Sequence, residues 1–110
     1  MPIDWVINED KVEQPDALVV RKEITTPRLH FAPTLIFEML SPSTERKDRT
    51  EKFELYQAQK VKYYVIVTPN SNIVELYLIE NVAYKKQNNS STFIFDLENC
   101  QINFNFDLIW

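Results

Sequence analysis

Glycine is absent from the 110 residues, although average usage of about 7% would supply roughly eight. The common phosphate-binding loops, of the Walker type and of the dinucleotide fingerprint, need glycine at fixed positions. Its absence therefore excludes the usual kinds of nucleotide-dependent chemistry. Asparagine tolerates a left-handed backbone better than most residues, so we expect turns at Asn70, Asn72, Asn81, Asn88 and Asn89.

Other shortages narrow the class of protein further. The single cysteine, Cys100, cannot form an intramolecular disulfide or a cysteine-rich zinc site, which favours a reducing, cytoplasmic setting. No apolar run approaches the roughly twenty residues of a membrane span, and residues 1–11 have no signal-peptide core. With 16 acidic against 12 basic residues the net charge is −4, so bulk positive charge does not hold this protein to nucleic acid. Any such contact must be local or assisted by metal ions.

What is present indicates a single α/β domain over residues 1–110, built on a central mixed sheet with a C-terminal β-rich extension. Residues 34–40 are apolar on both faces, as is typical of a central strand covered on both sides. One principal helix is predicted over about 44–59. Further strands are predicted as a pair over 3–12 and 15–20, as a hairpin over 63–68 and 73–79, and as sheet extensions over 82–86 and 91–97.

Glu38 is the one charge inside the predicted central strand. An ionised carboxylate there loses hydration worth several kcal/mol unless a cation or hydrogen-bond donors replace the water. Glu38 is therefore a candidate site residue. The structural alternative is an ordinary ion pair with a lysine or arginine near the strand's end.

Asp16 begins a second apolar strand, directly after Pro15. If this strand neighbours the one that carries Glu38, the two carboxylates can converge and offer the hard oxygen ligands that Mg²⁺ or Mn²⁺ prefers. The alternative is a turn device, which is the usual role of Pro-Asp at a strand start.

A metal held by two carboxylates needs a basic partner to orient or deprotonate a water, and Lys52 on the predicted helix is a candidate. The alternative is that Lys52 only pairs with Asp48, four residues earlier, on a solvated helix face. Arg46, Lys47 and Arg49 belong to a charged first helical turn that adjoins the proposed site, where they could contact phosphates.

The chain resembles the Uma-type putative restriction endonucleases of the PD-(D/E)XK nuclease superfamily. The resemblance covers roughly residue 13 to the C-terminus, and its most specific part is 38–56. It rests on the following segments: Pro15-Asp16, the run from Phe37 to Thr44, the series Asp48, Lys52 and Tyr56, and Tyr63 to Val67.

The resemblance implies a restriction-endonuclease-like core and metal-dependent hydrolysis of phosphodiester bonds, most naturally in DNA. Asp16 and Glu38 would be the Mg²⁺ (or Mn²⁺) ligands, with the main-chain carbonyl of Met39 as a further ligand. Leu40 occupies the superfamily's usual lysine position, and Lys52 would take over that role from the following helix. Two subunits acting on two DNA strands would make a homodimer.

A second departure from the family is the N-terminus, since members usually carry a helical segment before the first strand. This chain is expected to lack it, which keeps open a non-catalytic alternative: a degenerate nuclease fold that acts as a binding, regulatory or structural subunit. His30 and Cys100 have weaker claims, and packing or loop roles are expected for both.

Overall fold

A computed structural model describes residues 4–8, 11–13, 17–19, 28–29, 32–40, 48–68, 73–87, 92–97 and 101–109. Its largest feature is a five-stranded mixed sheet with the strand order β3-β5-β6-β7-β8. The strands of this central sheet are β3 (Ala17–Val19), β5 (Leu35–Met39), β6 (Tyr63–Thr68), β7 (Ile73–Glu80) and β8 (Ala83–Gln87). The predicted α/β class with a central mixed sheet is confirmed.

Strands β5 and β6 are parallel neighbours, and every other pairing in the central sheet is antiparallel. A parallel pair needs a crossover connection, and the segment between β5 and β6 contains the helix. The predicted hairpin of 63–68 with 73–79 is confirmed as β6 and β7.

One of the five predicted turn asparagines can be checked. Asn81, between β7 and β8, has a φ of 60°, as its turn role predicted. The other four predicted turn residues, Asn70, Asn72, Asn88 and Asn89, lie outside the described residues.

The helical segment consists of a π-helical turn, Asp48–Lys52, followed by the α-helix α1, Phe53–Ala58. The predicted helix over about 44–59 is therefore confirmed over 48–58, and its predicted beginning near residue 44 lies outside the described residues. In the part of the chain that the structure describes, no helix combines the length and the apolar character that a membrane crossing requires.

Two smaller sheets flank the central one. The first has the order β2-β1-β4, and the second is the antiparallel hairpin β9-β10. Their strands are β1 (Asp4–Asn8), β2 (Lys11–Glu13), β4 (Arg28–Leu29), β9 (Thr92–Asp96) and β10 (Gln101–Asn105), and a short 3₁₀ turn over Phe106–Ile109 follows β10.

Two strand predictions are wrong. Residues 3–12 do not pair with 15–20: within the described residues, β1 pairs with β2 and β4, while β3 pairs with β5. The continuous apolar sequence of β3 suits a place beside a buried strand, whereas β1 contains polar positions and buries Trp5.

Nor does the predicted strand over 91–97 extend the central sheet, because β9 pairs with β10 instead. The alternation along this hairpin places aromatic side chains on one face, and Phe95 is fully buried there. The hairpin packs over the central sheet, and this buries its aromatic face. As an added edge strand of the central sheet, the same segment would leave more of that face in water. The predicted C-terminal β-rich extension is confirmed in this form.

The central sheet separates two apolar clusters because successive side chains of a strand point to opposite faces. The helix-side cluster comprises Trp5, Ile36, Leu40, Tyr56, Val61, Tyr64, Ile66 and Tyr84. The hairpin-side cluster comprises Leu35, Tyr63, Val65, Val67, Leu76, Phe95, Leu97 and Phe106. Both faces of β5 are thus covered, as its sequence predicted.

Helix α1 ends in a Schellman motif that in most proteins contains glycine. The Lys60 amide donates to the Gln57 carbonyl at 3.0 Å, and the Val61 amide donates to the Tyr56 carbonyl at 3.1 Å. Lys60 has a φ of 58°, in the left-handed region that favours glycine. The glycine-free chain thus places a lysine where its Cβ is unfavourable.

Lys60→Gly is expected to raise the free energy of unfolding by about 1 kcal/mol, because it removes the Cβ contact of the left-handed conformation. Lys60→Ala is the matched control, since it removes the charge and keeps the Cβ, and it should give no comparable gain. Urea unfolding of the three proteins measures the difference. An equal gain from both variants would attribute the effect to the charge instead.

Candidate active site

Glu38 lies near the carboxyl end of β5, on the face that carries Ile36 and the helix-side cluster. Its relative exposure is only 1%. Strand β5 pairs with β6 through Met39 and with β3 as far as Phe37, so it is an interior strand of the central sheet. The sequence prediction of a buried acidic residue in a doubly covered strand is confirmed.

Two side chains from the helical segment donate to this carboxylate. The Lys52 ammonium lies 3.2 Å from Oε2 of Glu38 and forms an ion pair with it. The Tyr56 hydroxyl donates to Oε1 at 3.0 Å. A buried carboxylate needs such donors to offset its lost hydration.

Helix geometry brings the two donors to the same carboxylate. Lys52 ends the π-helical turn and Tyr56 lies in α1, four residues later, and this spacing places two side chains on one face of a helix. The structural alternative was that Lys52 pairs only with Asp48 on its own helix. Lys52 instead reaches across to Glu38 on the sheet. The side chain of Asp48 lies outside what the structure describes.

The ring of Tyr56 is held between two further aromatic side chains. Trp5 of β1 stacks on it, with ring centroids 5.7 Å apart, and Tyr64 of β6 meets it edge to face at 5.0 Å. Tyr56 is fully buried and Trp5 is 1% exposed. The sequence indicated Tyr56 by its spacing from Lys52, but it did not indicate which residue the hydroxyl would contact. For Trp5 the sequence held no functional indication, since it showed only a large apolar residue in a predicted strand.

Asp16, the second predicted metal ligand, lies outside the described residues. The residue after it, Ala17, begins β3 and pairs antiparallel with Phe37, which immediately precedes Glu38. Convergence of the two carboxylates required that the strand following Asp16 neighbour the strand that carries Glu38. The pairing of β3 with β5 confirms that the two strands are neighbours. The position of the Asp16 carboxylate itself stays a prediction.

The remaining predicted residues divide by whether the structure describes them. Met39 ends β5 and its residue surface is 42% exposed, and the role of its carbonyl as a metal ligand stays a prediction. Arg49 belongs to the π-helical turn, with its side chain outside the described set. Four residues lie outside the described ranges altogether: Arg46, Lys47, His30 and Cys100.

A second acidic residue, Glu75, lies on the same face of the central sheet, and its side chain is 12% exposed. Glu38 pairs with Ile66 and Ile66 with Glu75, so the two acidic residues are two strands apart, at about 10 Å between backbones. Glu75 has its own partner, the Lys86 ammonium, at 3.7 Å. Over the described ranges, no three histidine, cysteine or acidic side chains gather into a group that could hold a metal ion.

The site lies within a segment of the chain that matches a known family. The family model of Uma2, described as a putative restriction endonuclease, matches residues 1–103. This range contains Glu38, Lys52, Tyr56 and Trp5, together with the whole central sheet. No curated protein matches the chain.

Lys52→Met is expected to lower the free energy of unfolding by about 3 kcal/mol, because it leaves the Glu38 carboxylate buried without its cation. The cost should be smaller in the Glu38→Gln background, since a neutral amide is cheaper to bury than a charge. Lys86→Met is the matched control, because Lys86 is 60% exposed and its ion pair should contribute no more than about 1 kcal/mol. Urea unfolding measures all four variants, and an equal cost of Lys52→Met in both backgrounds would contradict the pairing.

Proposed function

We propose that this chain, which belongs to the Uma2 family of putative restriction endonucleases, hydrolyses phosphodiester bonds in DNA with the help of Mg²⁺ or Mn²⁺. Family membership supports a nuclease acting on nucleic acid. The observation that carries the proposal is the buried Glu38 carboxylate with the Lys52 ammonium beside it at 3.2 Å. A carboxylate can hold a divalent metal ion and an ammonium can stabilise charge on a phosphate, so both groups suit such a hydrolysis.

The available donors suit a hard divalent cation. Carboxylate and carbonyl oxygens are the ligands that Mg²⁺ and Mn²⁺ prefer, and we assign Glu38, Asp16 and the Met39 carbonyl to this role. The register of β3 on β5 supports the assignment of Asp16. Ala17 pairs with Phe37 in an antiparallel arrangement, so the same register extended by one residue would set Asp16 opposite Glu38. Cross-strand neighbours share a face of the sheet.

The protein groups have distinct tasks in this proposal. Glu38 and Asp16 would hold the metal ion through their negative charge. The ion would supply Lewis-acid polarisation of the phosphate and would lower the pKa of a water molecule. Lys52, as an ammonium, donates hydrogen bonds that orient the attacking water or stabilise the negative charge that develops on the phosphate.

Lys52 is the more accessible member of the ion pair. Its side chain retains 17% exposure, whereas the side chain of Glu38 is 2% exposed. Access from solvent suits the contact with a phosphate that this proposal assigns to Lys52.

Contacts with the DNA backbone are assigned to basic residues close to the site in sequence. Arg46, Lys47 and Arg49 lie three to six residues before Lys52 in the sequence, and such residues contact phosphates through charge. The overall charge of −4 is compatible with a DNA substrate because these groups and the metal ion provide positive charge locally. Cleavage of both strands would call for two such sites, which a homodimer would provide.

Metal binding is tested by thermal unfolding with Mn²⁺. At one hundred times its dissociation constant, the ion should stabilise the protein by about 2.7 kcal/mol, which corresponds to a Tm increase of about 10 °C for a domain of this size. Glu38→Gln and Asp16→Ala should abolish the increase. Glu75→Gln, at the other partly buried carboxylate on this face, should keep it.

The same variants decide whether the protein is an enzyme. Metal-dependent nicking of plasmid DNA should occur in the wild-type protein and in Glu75→Gln, and it should disappear in Asp16→Ala and Glu38→Gln. Cleavage that persists in Asp16→Ala would overturn the mechanism. Metal binding without any cleavage would instead favour the non-catalytic alternative.

Lys52→Met is expected to lower the cleavage rate at least a hundredfold, the usual effect of removing a group that transfers or holds a proton in the transition state. The Mn²⁺-dependent rise in Tm should persist, because the metal-binding oxygens remain. Lys86→Met serves as the control and should cleave normally. Circular dichroism checks that each variant is folded at the assay temperature, and a rate within threefold of wild type would remove Lys52 from the mechanism.

A further inference from the structure

We infer that Tyr56 is a positioning residue of this site: its hydroxyl holds Oε1 of Glu38 so that Oε2 is the oxygen presented to the metal ion and to Lys52. The inference rests on the proposed function, because it concerns how Glu38 is oriented as a ligand. It assigns a task to a side chain that the proposed reaction does not otherwise use.

The hydrogen bond itself lies in a dry part of the protein. Tyr56 is 0% exposed and Glu38 1% exposed, and the two oxygens are 3.0 Å apart. Water cannot easily replace a donor at such a depth, so the hydroxyl determines where Oε1 lies. Lys52 approaches the other oxygen, and the carboxylate is thereby oriented with its two oxygens in different environments.

Tyr56 is held in place along its whole length. Its main-chain carbonyl accepts from Val61 at the end of α1, and its ring lies between Trp5 and Tyr64. The position of the hydroxyl is therefore restrained by the end of α1, by β6 of the central sheet and by β1. Partners that fix the orientation of a metal ligand commonly change metal affinity or activity by about 10–100-fold when they are removed.

The burial of Tyr56 also separates positioning from catalysis. A hydroxyl with no exposure does not reach the DNA or the attacking water, so its effect on the reaction passes through Glu38. Removing it should alter how well the metal ion binds, and a saturating metal concentration should restore much of the cleavage rate.

Tyr84 offers a matched control. It is also a buried tyrosine of the helix-side cluster, and its hydroxyl donates to the Val61 carbonyl at 2.7 Å. Tyr84→Phe and Tyr56→Phe each remove one buried hydroxyl and its hydrogen bond without changing the ring. Only Tyr56→Phe removes a contact with the carboxylate.

Calorimetric titration with Mn²⁺ and thermal unfolding test the inference. Tyr56→Phe should weaken Mn²⁺ binding about tenfold or more, whereas Tyr84→Phe should change it less than twofold, although both variants lower the Tm. Cleavage by Tyr56→Phe should recover as Mn²⁺ is raised. Unchanged Mn²⁺ affinity in Tyr56→Phe, or an equal loss in both variants, would overturn the inference while leaving the proposed metal site intact.

A metal-free measurement distinguishes failure of the inference from failure of the proposed function. Tyr56→Phe should lower the Tm in the wild-type background but not in the Glu38→Met background, where the hydroxyl has lost its acceptor. If that coupling is observed and wild-type protein binds no Mn²⁺, the hydrogen bond stands, and both the proposed metal site and the positioning role are wrong. If the coupling is absent, Tyr56 does not hold Glu38, and the inference fails whatever the metal does.

Discussion

The burial of one carboxylate governs the arrangement of this protein. Glu38 lies in an interior strand of a sheet that is covered on both faces, where an ionised group is stable only with donors close by. The helical segment between β5 and β6 supplies them in Lys52 and Tyr56, and the N-terminal strand β1 supplies Trp5, which packs on Tyr56. An apolar residue at position 38 would cost the fold less, but only a carboxylate there can take the part that the proposed function assigns to Glu38.

The parallel pairing of β5 with β6 explains why the helix lies over the carboxylate. A parallel connection must cross one face of the sheet, and this connection covers the face that carries Ile36, Glu38 and Leu40. The β9-β10 hairpin covers the opposite face with aromatic side chains. Lacking glycine, the chain ends its helix on Lys60 in a left-handed conformation, so even the short return to β6 carries a local energetic cost.

Much of this fold and part of the site could be predicted from patterns of neighbouring residues. The two-sided apolar run containing Glu38, the β6-β7 hairpin and the helix rich in good helix formers are local features, and all three are confirmed. The predicted pairing of 3–12 with 15–20 and the placement of 91–97 in the central sheet were wrong. Both errors concern which strands are neighbours, and local sequence patterns do not specify which distant strands lie side by side.

By itself, the sequence determined the α/β class, the buried position of Glu38 and membership of the Uma2 family of putative restriction endonucleases, because composition, periodicity and motif spacing are properties of the chain before it folds. Only the tertiary structure decided which groups compensate the carboxylate. The contacts of Glu38 with Lys52 and Tyr56 span 14 and 18 residues, and they depend on how the crossover helix packs on the sheet. The stacking of Trp5 on Tyr56 joins strand β1 to helix α1, and no sequence pattern specifies a contact between elements that pack only after both have formed.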